Sequence, residues 1–496
     1  VVIDHITTDT TWIKASSPYF IAQNVMINQS TTLTIEAGVE VRFATETYLK
    51  AEGKLIAVGT ADEPILFTSA NSTPSAGDWQ GIQIRSTGGT TFDASQAYVT
   101  GSKLEQVEIK YAATGLYVHG AGLLVDQASF IDNTSAVEIR STTDFVLTDS
   151  QLTTNGTGIY SVYEDHYGDS VSNIIDTLIQ GNVFTGNGSA INLNINQRTF
   201  INLNIVNNQF QANNTAISFG GGGYGPRLHS AVIADNWVYN NGQGIQLNKI
   251  YGTGTDPAGT AVPDYPLIAR NNLIENNTGT GLRIDFVRVK VLIEGNTLSS
   301  NSDGVTWTGS SGNGLFQKNV LADNQSGIEV GGSSSNHPNN LKITKNTFAN
   351  NGSGTLVELG YGQGHSFTLN NIDHSGSLIL DNQTANQVSA INNWWGTTDA
   401  SWIETMIRDF DDDAGLGNVV FSPFSSSANS AAPLSPPRNV VKSLIEGVVK
   451  VSWAANSEIS VTGYQIHYGT KAGFDFSQSI DVGNATIYDL AEVSLS

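Results

Sequence analysis

The feature that most constrains this chain is an asparagine that returns. From about residue 125 to 395 one phrase repeats: Asn, any residue, an apolar residue, a second Asn five positions after the first, a small residue, then Ile, Leu or Val. It reads GNVFTGNGSAI from Gly181, NNQFQANNTAI from Asn207, DNWVYNNGQGI from Asp235 and KNVLADNQSGI from Lys318. The leading asparagines are Asn182, Asn208, Asn236, Asn272, Asn296, Asn319, Asn346, Asn371 and Asn393, with successive gaps of 26, 28, 36, 24, 23, 27, 25 and 22. A period that varies above a floor of 22 residues is the mark of coils carrying loops of different length. In such a solenoid each coil contacts only its neighbours, so one unit can absorb most of a 496-residue chain.

Within each repeat lie two or three short strands of period two, split by Asn and Gly turns. In the run from Ala190 to Ile195, Ile191, Leu193 and Ile195 alternate with Asn192 and Asn194. Stacked as parallel rungs, such strands close one continuous apolar core. The second asparagine of each phrase (Asn133, Asn155, Asn187, Asn213, Asn241, Asn277, Asn301, Asn324 and Asn351) recurs at one place in the turn and is expected to form a buried amide ladder. Asn187, Asn324 and Asn351 also lie in glycosylation sequons. The spacing recurs regardless of sequon, so the ladder is the preferred reading.

Composition narrows the function classes. Charged residues make up only 14% of the chain, apolar residues 39%, and the net charge is −22. An acid balance of this size repels phosphate backbones and anionic membranes, which disfavours nucleic acid as a partner. There is no cysteine, hence no disulfide framework or thiolate chemistry. No apolar run reaches membrane-spanning length, so no membrane insertion is expected. The chain opens on VVIDHITTDTTW without an initiator Met, which reads as a mature or trimmed product.

The opening segments TTLTIEAGVEVRF (Thr31 to Phe43), LKAEGKLIAVGTADEPILFTSAN (Leu49 to Asn71) and GDWQGIQI (Gly77 to Ile84) are alternating strands broken by Gly38, Gly53 and Gly59. Together with the Asn repeat, they resemble the right-handed parallel β-helix superfamily, the pectate-lyase-like solenoids of bacterial secreted and surface proteins. The resemblance implies an all-β parallel β-helix over 1–424 and an extracellular or cell-surface location. It implies fold and not activity, because the dense catalytic signatures of pectate lyases, polygalacturonases, alginate lyases and mannuronan epimerases are absent.

Both ends of the stack should be capped, since an open solenoid end is an exposed sheet edge. Residues 1–30 are expected to cover one end and 392–424 the other. In NNWWGTTDASWIETMIRDF (Asn392 to Phe410), Ser401 and Glu404 read as a capping box. Trp402, Ile403, Met406, Ile407 and Phe410 would share one helical face, while Trp394 and Trp395 would seal the core. Residues 425–438 (SSSANSAAPLSPPR) read as a linker. The remaining C-terminal segment, with GVVKVSWAA, VTGYQIHYGT and NATIYDL, resembles a fibronectin type III domain, with Trp453 on its second strand and Tyr464 on its third. Such a sandwich needs about 90–100 residues. Only 439–496 remain, so the expectation is a truncated β-sandwich, completed in a longer protein or by another chain through self-association.

Candidate chemistry gathers in loops after the GI/AI strand: 160–173, 219–230, 248–266 and 331–340. They carry Tyr160, Tyr163, Tyr167, Tyr224, Tyr251 and Tyr265 as aromatic platforms and Glu164, Asp165 and His166 as candidate catalytic groups. Neighbouring strands are expected to point Arg283, Asp285, Trp307 and Glu329 to the same side. Aromatic faces beside carboxylates and amides suit a neutral or weakly charged sugar chain. Glycoside hydrolysis would draw two carboxylates from this set; β-elimination would need an Arg or Lys base such as Arg283. Asp409, Asp411 and Asp413 in DFDDDAGLG imitate the start of an EF-hand, but Ala414 stands where its glycine belongs. A solvated acidic turn is the default there, with a loose calcium site as the alternative and no other cofactor expected. The functional expectation is an extracellular rod for adhesion, display or matrix building with a carbohydrate or surface partner. The alternatives are a polysaccharide hydrolase or lyase and a self-assembling filament.

Overall fold

The computed structural model describes the chain except residues 86–89, 94–96, 162–173, 195–198, 222–226, 253–260, 310–312, 334–335, 353, 374–377, 446–447, 457–460, 469–477 and 491–496. From residue 10 to 420 the chain winds through three parallel sheets, one strand of each per coil. A representative coil runs Val183–Thr185, Ser189–Asn194, then Thr199–Val206, and returns to the first sheet at Gln209–Gln211. The first sheet has 14 strands, from Tyr19–Ile21 to Asn371–Asp373. The second and third are joined at one coil by the 14-residue strand Ser135–Thr148, which pairs into both.

Alternation puts every second side chain inside. Phe130, Phe184, Phe210, Val238, Ile274, Leu298, Leu321 and Phe348 occupy rungs of the first sheet and belong to one continuous core. Phe184 and Phe210 stack at 4.8 Å between centroids. The core is apolar along its length and each coil packs on the next, so its stability is a sum over neighbouring coils.

The expected amide ladder is present, and a second one runs beside it. Each coil turns a corner on entering the first sheet and another on leaving it. At both, a residue with positive φ precedes a buried asparagine: Ala212 (φ 55°) before Asn213, Lys318 (φ 53°) before Asn319. At Asn241, Oδ1 accepts the backbone N–H and the Nδ2–H of Asn213, both at 3.0 Å. Its own Nδ2 donates to Phe210 O, Tyr239 O and Asn277 Oδ1 at 3.0–3.1 Å. The ladder thus satisfies the backbone groups that a sharp corner would leave unpaired in the core. Asn187, Asn324 and Asn351 are buried in it, away from any glycosylating enzyme. The second ladder uses the leading asparagines, with one correction. Asn370, not Asn371, is its rung after Asn346. Leu369 takes the positive φ there, and Asn371 begins the next strand facing out.

The ends differ from expectation. Residues 10–27 are themselves the first coil, pairing Thr10–Trp12 with Thr32–Ile35 and Val25–Ile27 with Tyr48–Ala51. Only residues 1–9 lie beyond it, bridged at Val2 to Ile21 and Ile6 to Ile27. At the far end the helix is six residues long, Ala400–Thr405, and its N-cap is Asp399, which accepts from Ser401 N and Trp402 N. Ser401 therefore lies inside the helix and the Ser401–Glu404 box does not form. The expected five-residue face also fails: Ile403 and Met406 reach the core, Ile407 is in a strand, and Trp402 and Phe410 are exposed. A helix of less than two turns cannot extend one face to position 410. Trp395 is buried and Trp394 is half-buried.

Residues 429–438 lie against the first sheet. Asn429 exchanges hydrogen bonds with Asn371 at 2.7 and 3.1 Å, Thr347 Oγ1 donates to Pro433 O, and Arg438 reaches Asp373 at 3.7 Å. Outward-facing Val320, Ala322 and Ala349 on the same rungs are buried as a small apolar cluster. Beyond, Arg438–Ile445, Val448–Ala454 and Ile487–Asp489 form one antiparallel sheet, and Tyr464–Tyr468 with Gln478–Gly483 another. Trp453 meets Tyr464 edge-on at 5.4 Å between ring centroids.

Candidate functional site

The outer face of the second sheet carries one side chain per coil in strict register. Gln83, Tyr117, Glu138, Tyr160 and Asn192 are successive neighbours, followed by Ser218, Gln246, Arg283, Thr306, Glu329, Glu358 and Asp381. Parallel pairing brings each pair within about 4.8 Å, although 21 to 37 residues separate them in sequence. The loops between the second and third sheets border this face.

Near its start the column builds a cluster. The Arg85 guanidinium lies 4.6 Å and that of Arg140 5.0 Å from the Tyr117 ring centroid. Arg85 Nη1 is 2.8 Å from His119 Nδ1. Because a guanidinium only donates, Nδ1 accepts, and the imidazole proton is assigned to Nε2. Glu138 is buried and takes hydrogen bonds from Arg140 Nε and, at 2.5 Å, from Tyr160 Oη. Burial, reinforced by the Glu138 carboxylate, pushes the Tyr160 hydroxyl up to about 12. Tyr160 is thus a protonated donor at neutral pH and not a general base. Among the described residues the cluster thus sets two guanidiniums, Arg85 and Arg140, beside one buried carboxylate, Glu138. Arg85 Nε and Ser161 Oγ are buried and find no partner among the described residues.

Among the described residues singled out by sequence, this cluster holds Tyr160 alone. Tyr163, Glu164, Asp165, His166, Tyr167 and Tyr224 lie outside the described residues. Arg283 and Asp285 share the outer face at 3.8 Å, and Asp285 accepts from Thr308 Oγ1 at 2.9 Å. Glu329 lies two coils further on in the Arg283 column. Trp307 is a correction: it is 1% exposed and aligns with Ile284 and Val330 in the core. Thr306 and Thr308 face out instead, a one-residue slip that reverses the face. Tyr251 pairs into the third sheet with Arg288 over its ring at 5.1 Å. Tyr265 is half-buried near the Lys290–Asp264 ion pair. Missed altogether were Arg85, Tyr117, His119, Glu138 and Arg140. They precede or flank the first marked asparagines, where only a count of outward positions coil by coil could have aligned them.

Toward its far end the same column carries three carboxylates before Arg408. Glu329, Glu358 and Asp381 occupy consecutive coils. Burial first, then the charges of Asp381 and Glu329, hold the Glu358 carboxyl above its ordinary range. Asp381 is buried against Arg408 at 3.3 Å. At the acidic turn, the carboxylates that converge are Glu404, Asp409 and Asp411. Asp413 instead caps Gly415 N at 2.9 Å. Asp409 already accepts Val419 N at 2.6 Å and Asp411 N at 3.1 Å. Calcium takes six to eight oxygens, and three carboxylates of which one is committed to backbone donors fit an acidic turn better than a calcium cage.

Comparison with known proteins agrees with this architecture. Residues 4–105 match the family model described as pectate-lyase like beta helix domain, and residues 258–409 match that of periplasmic copper-binding protein (NosD). No curated protein matches the sequence. Among solved structures, the periplasmic alginate epimerase AlgG is 13% identical, over 68% of this chain and 74% of that one, with a TM-score of 0.41. A tailspike protein of an E. coli bacteriophage, solved with a pentasaccharide, is 11% identical over 95% and 86%, with a TM-score of 0.31. PfbA, a surface adhesin of Streptococcus pneumoniae, is 12% identical over 88% and 91%, with a TM-score of 0.26. None is near enough for an activity to pass to this chain. The parallel sheets make the body of this protein a parallel β-helix, and its residues 4–105 match the pectate-lyase like beta helix model.

Proposed function

We propose that this protein is an extracytoplasmic or cell-surface rod that engages carbohydrate through the outer face of its second sheet. The observation that carries the reading is the Arg85–Tyr117–His119–Glu138–Arg140–Tyr160 cluster. It combines aromatic rings, charged donors and a buried unpaired Arg85 N–H on an outer face. Sugar rings present C–H faces to aromatics and hydroxyls to such donors. The periplasmic and surface character of the matched NosD family and of PfbA supports the location. The two antiparallel sheets after residue 438 support a partial fibronectin type III-like module. Its strand Arg438–Ile445, with Leu444 72% exposed, is the edge through which copies would self-associate.

The test is a panel of neutral and acidic polysaccharides presented to the intact chain, read for binding, for new reducing ends and for unsaturated uronates. Binding without turnover, weakened at least about tenfold by Tyr117→Leu, is the expected result. No binding across the panel, or no polysaccharide in it whose binding Tyr117→Leu weakens, overturns it.

One observation favours the enzymatic alternative. Glu329 and Glu358 are register partners on adjacent coils, which sets two carboxylates side by side on one face, the pair that glycoside hydrolysis needs. Burial, with the charges of Asp381 and Glu329, raises the Glu358 carboxyl, which suits a general acid. Under this reading, Glu358→Gln abolishes the release of reducing ends and leaves binding intact.

A further inference from the structure

Far from the cluster, where the second sheet gives way to the third, a cleft of about 410 Å³ opens between residues 360–363 and 383–386. Its described lining residues include no Asp, Glu, Lys or Arg, although the chain as a whole is strongly acidic. The lining consists of Tyr361, Gln363, Gln383, Asn386 and His337 with small residues between them. Tyr361 is 42% exposed. The amide nitrogens of Gln383 and Asn386 donate to Asp381 Oδ2 at 2.9 Å and Gly362 O at 3.0 Å. Their amide oxygens, the Gln363 side chain and the Tyr361 hydroxyl accept or donate nothing among the described residues.

The cleft is rigid. Buried His365 accepts Leu341 N at Nδ1 (3.3 Å) and donates from Nε2 to Tyr361 O (2.9 Å), which holds the backbone under the Tyr361 ring. This uses the neutral tautomer, and burial lowers the His365 pKa accordingly. Gly362 sits at φ 103°, where an added Cβ would come within 2.0 Å of Pro338 O. A site fixed in this way loses little ordering entropy when it is filled. Past Ala385 a second depression continues toward Phe410, which is 51% exposed.

We propose that this cleft binds a neutral oligosaccharide, a second subsite separate from the cluster. Primary amides both donate and accept, as sugar hydroxyls do, and the exposed ring offers an apolar face. The described lining of the cleft itself carries no carboxylate, ammonium or guanidinium to favour an ion, although Asp411 lines the adjoining depression. The adjoining depression with Phe410 suits a chain of several sugars and not a monosaccharide. This inference rests on the carbohydrate reading above.

The experiment is titration calorimetry of the intact chain with hexasaccharides of a β-glucan, a xylan and a mannan, on wild type, Tyr361→Ala, Gln363→Ala and Tyr117→Leu. Tyr361 and Gln363 lie on the surface, so folding is not at risk; melting temperature checks this. Expected is binding of at least one hexasaccharide, weakened about tenfold or more by Tyr361→Ala and severalfold by Gln363→Ala, and retained in Tyr117→Leu. If Tyr361→Ala binds like wild type while Tyr117→Leu does not, the cleft is wrong and the carbohydrate reading stands. If wild type binds none of the three, the cleft proposal falls, and the wider polysaccharide panel decides the first reading by itself.

Discussion

The corners of this β-helix come in two kinds. The two that flank the first sheet are built alike in coil after coil: a positive-φ residue, a buried asparagine, and a hydrogen bond to the next asparagine along the stack. The corner between the second and third sheets follows no such rule. It shrinks to nothing inside Ser135–Thr148 and takes six residues, 360–365, between Val357–Leu359 and Ser366–Thr368. A corner that must satisfy buried amides has one solution and repeats it. A corner open to solvent is free to vary, and the cluster and the cleft lie beside it. Regularity here marks the scaffold, and departure from it marks the places where chemistry gathers.

That contrast can be broken most forcefully at the ladder. Asn241→Ala strips the acceptor from two Asn213 donors and the donor from Phe210 O and Tyr239 O. Each buried group left unpaired costs about 1–3 kcal/mol, so a total loss of about 3–5 kcal/mol is expected, read as a fall in the denaturation midpoint. Carbohydrate binding by the folded fraction should be unchanged; loss of binding first would make the ladder functional.

Tyr117→Leu should behave the other way. It removes two cation–π contacts, worth about 1–2 kcal/mol together at a partly exposed site, but its main effect should be on ligand affinity. A destabilisation as large as that of the ladder variant, with affinity intact, would make the cluster a structural clasp.

Glu275, on the outer face of the first sheet, adds a pH dependence. Burial raises its pKa, partly offset by the hydrogen bond from Trp237 Nε1 at 2.7 Å. The folded state therefore binds this proton more tightly than the unfolded one. Its contribution is fully present below the unfolded pKa and is lost as pH rises through the raised folded value. Glu275→Gln keeps an acceptor for Trp237 and should flatten this slope, leaving the variant more stable than wild type at pH 7. Melting curves between pH 4 and 7 that run parallel for the two proteins would refute it.

The smallest effect is at the corners themselves. Ala212 holds φ 55°, a conformation that costs a residue with a Cβ about 1–2 kcal/mol. Glycine avoids that strain and gives back part of it as chain entropy. Ala212→Gly should stabilise by about 0.5 kcal/mol. The same change at Ala349, in a regular strand, should destabilise, and equal signs at both would deny the corner its special geometry.

Much of the scaffold could be read from the chain before folding. The Asn period located the corners and the rungs from Asn133 to Asn351, because a side-chain amide at a fixed place in the coil both accepts from and donates to its neighbours along the stack. It erred where two asparagines adjoin: Asn370 enters the ladder, while Asn371 turns out to meet Asn429. The same ambiguity turned Trp307 to the wrong face, since period two gives alternation without its phase. The short helix misled for another reason. Its apolar residues continue past Thr405, but the chain there enters a strand, Ile407–Arg408, paired with Leu380–Asn382.

The order of strands, the apolar core and the amide corners were determined by local pattern and burial, which act on residues a few positions apart. The meeting of Arg85, Tyr117, Glu138 and Tyr160 was decided only in the tertiary structure. Each lies one coil from the next, and the length of a coil depends on a loop that obeys no period. Which side chains become neighbours across coils therefore depends on the register of parallel pairing, a quantity that exists only once the stack has formed.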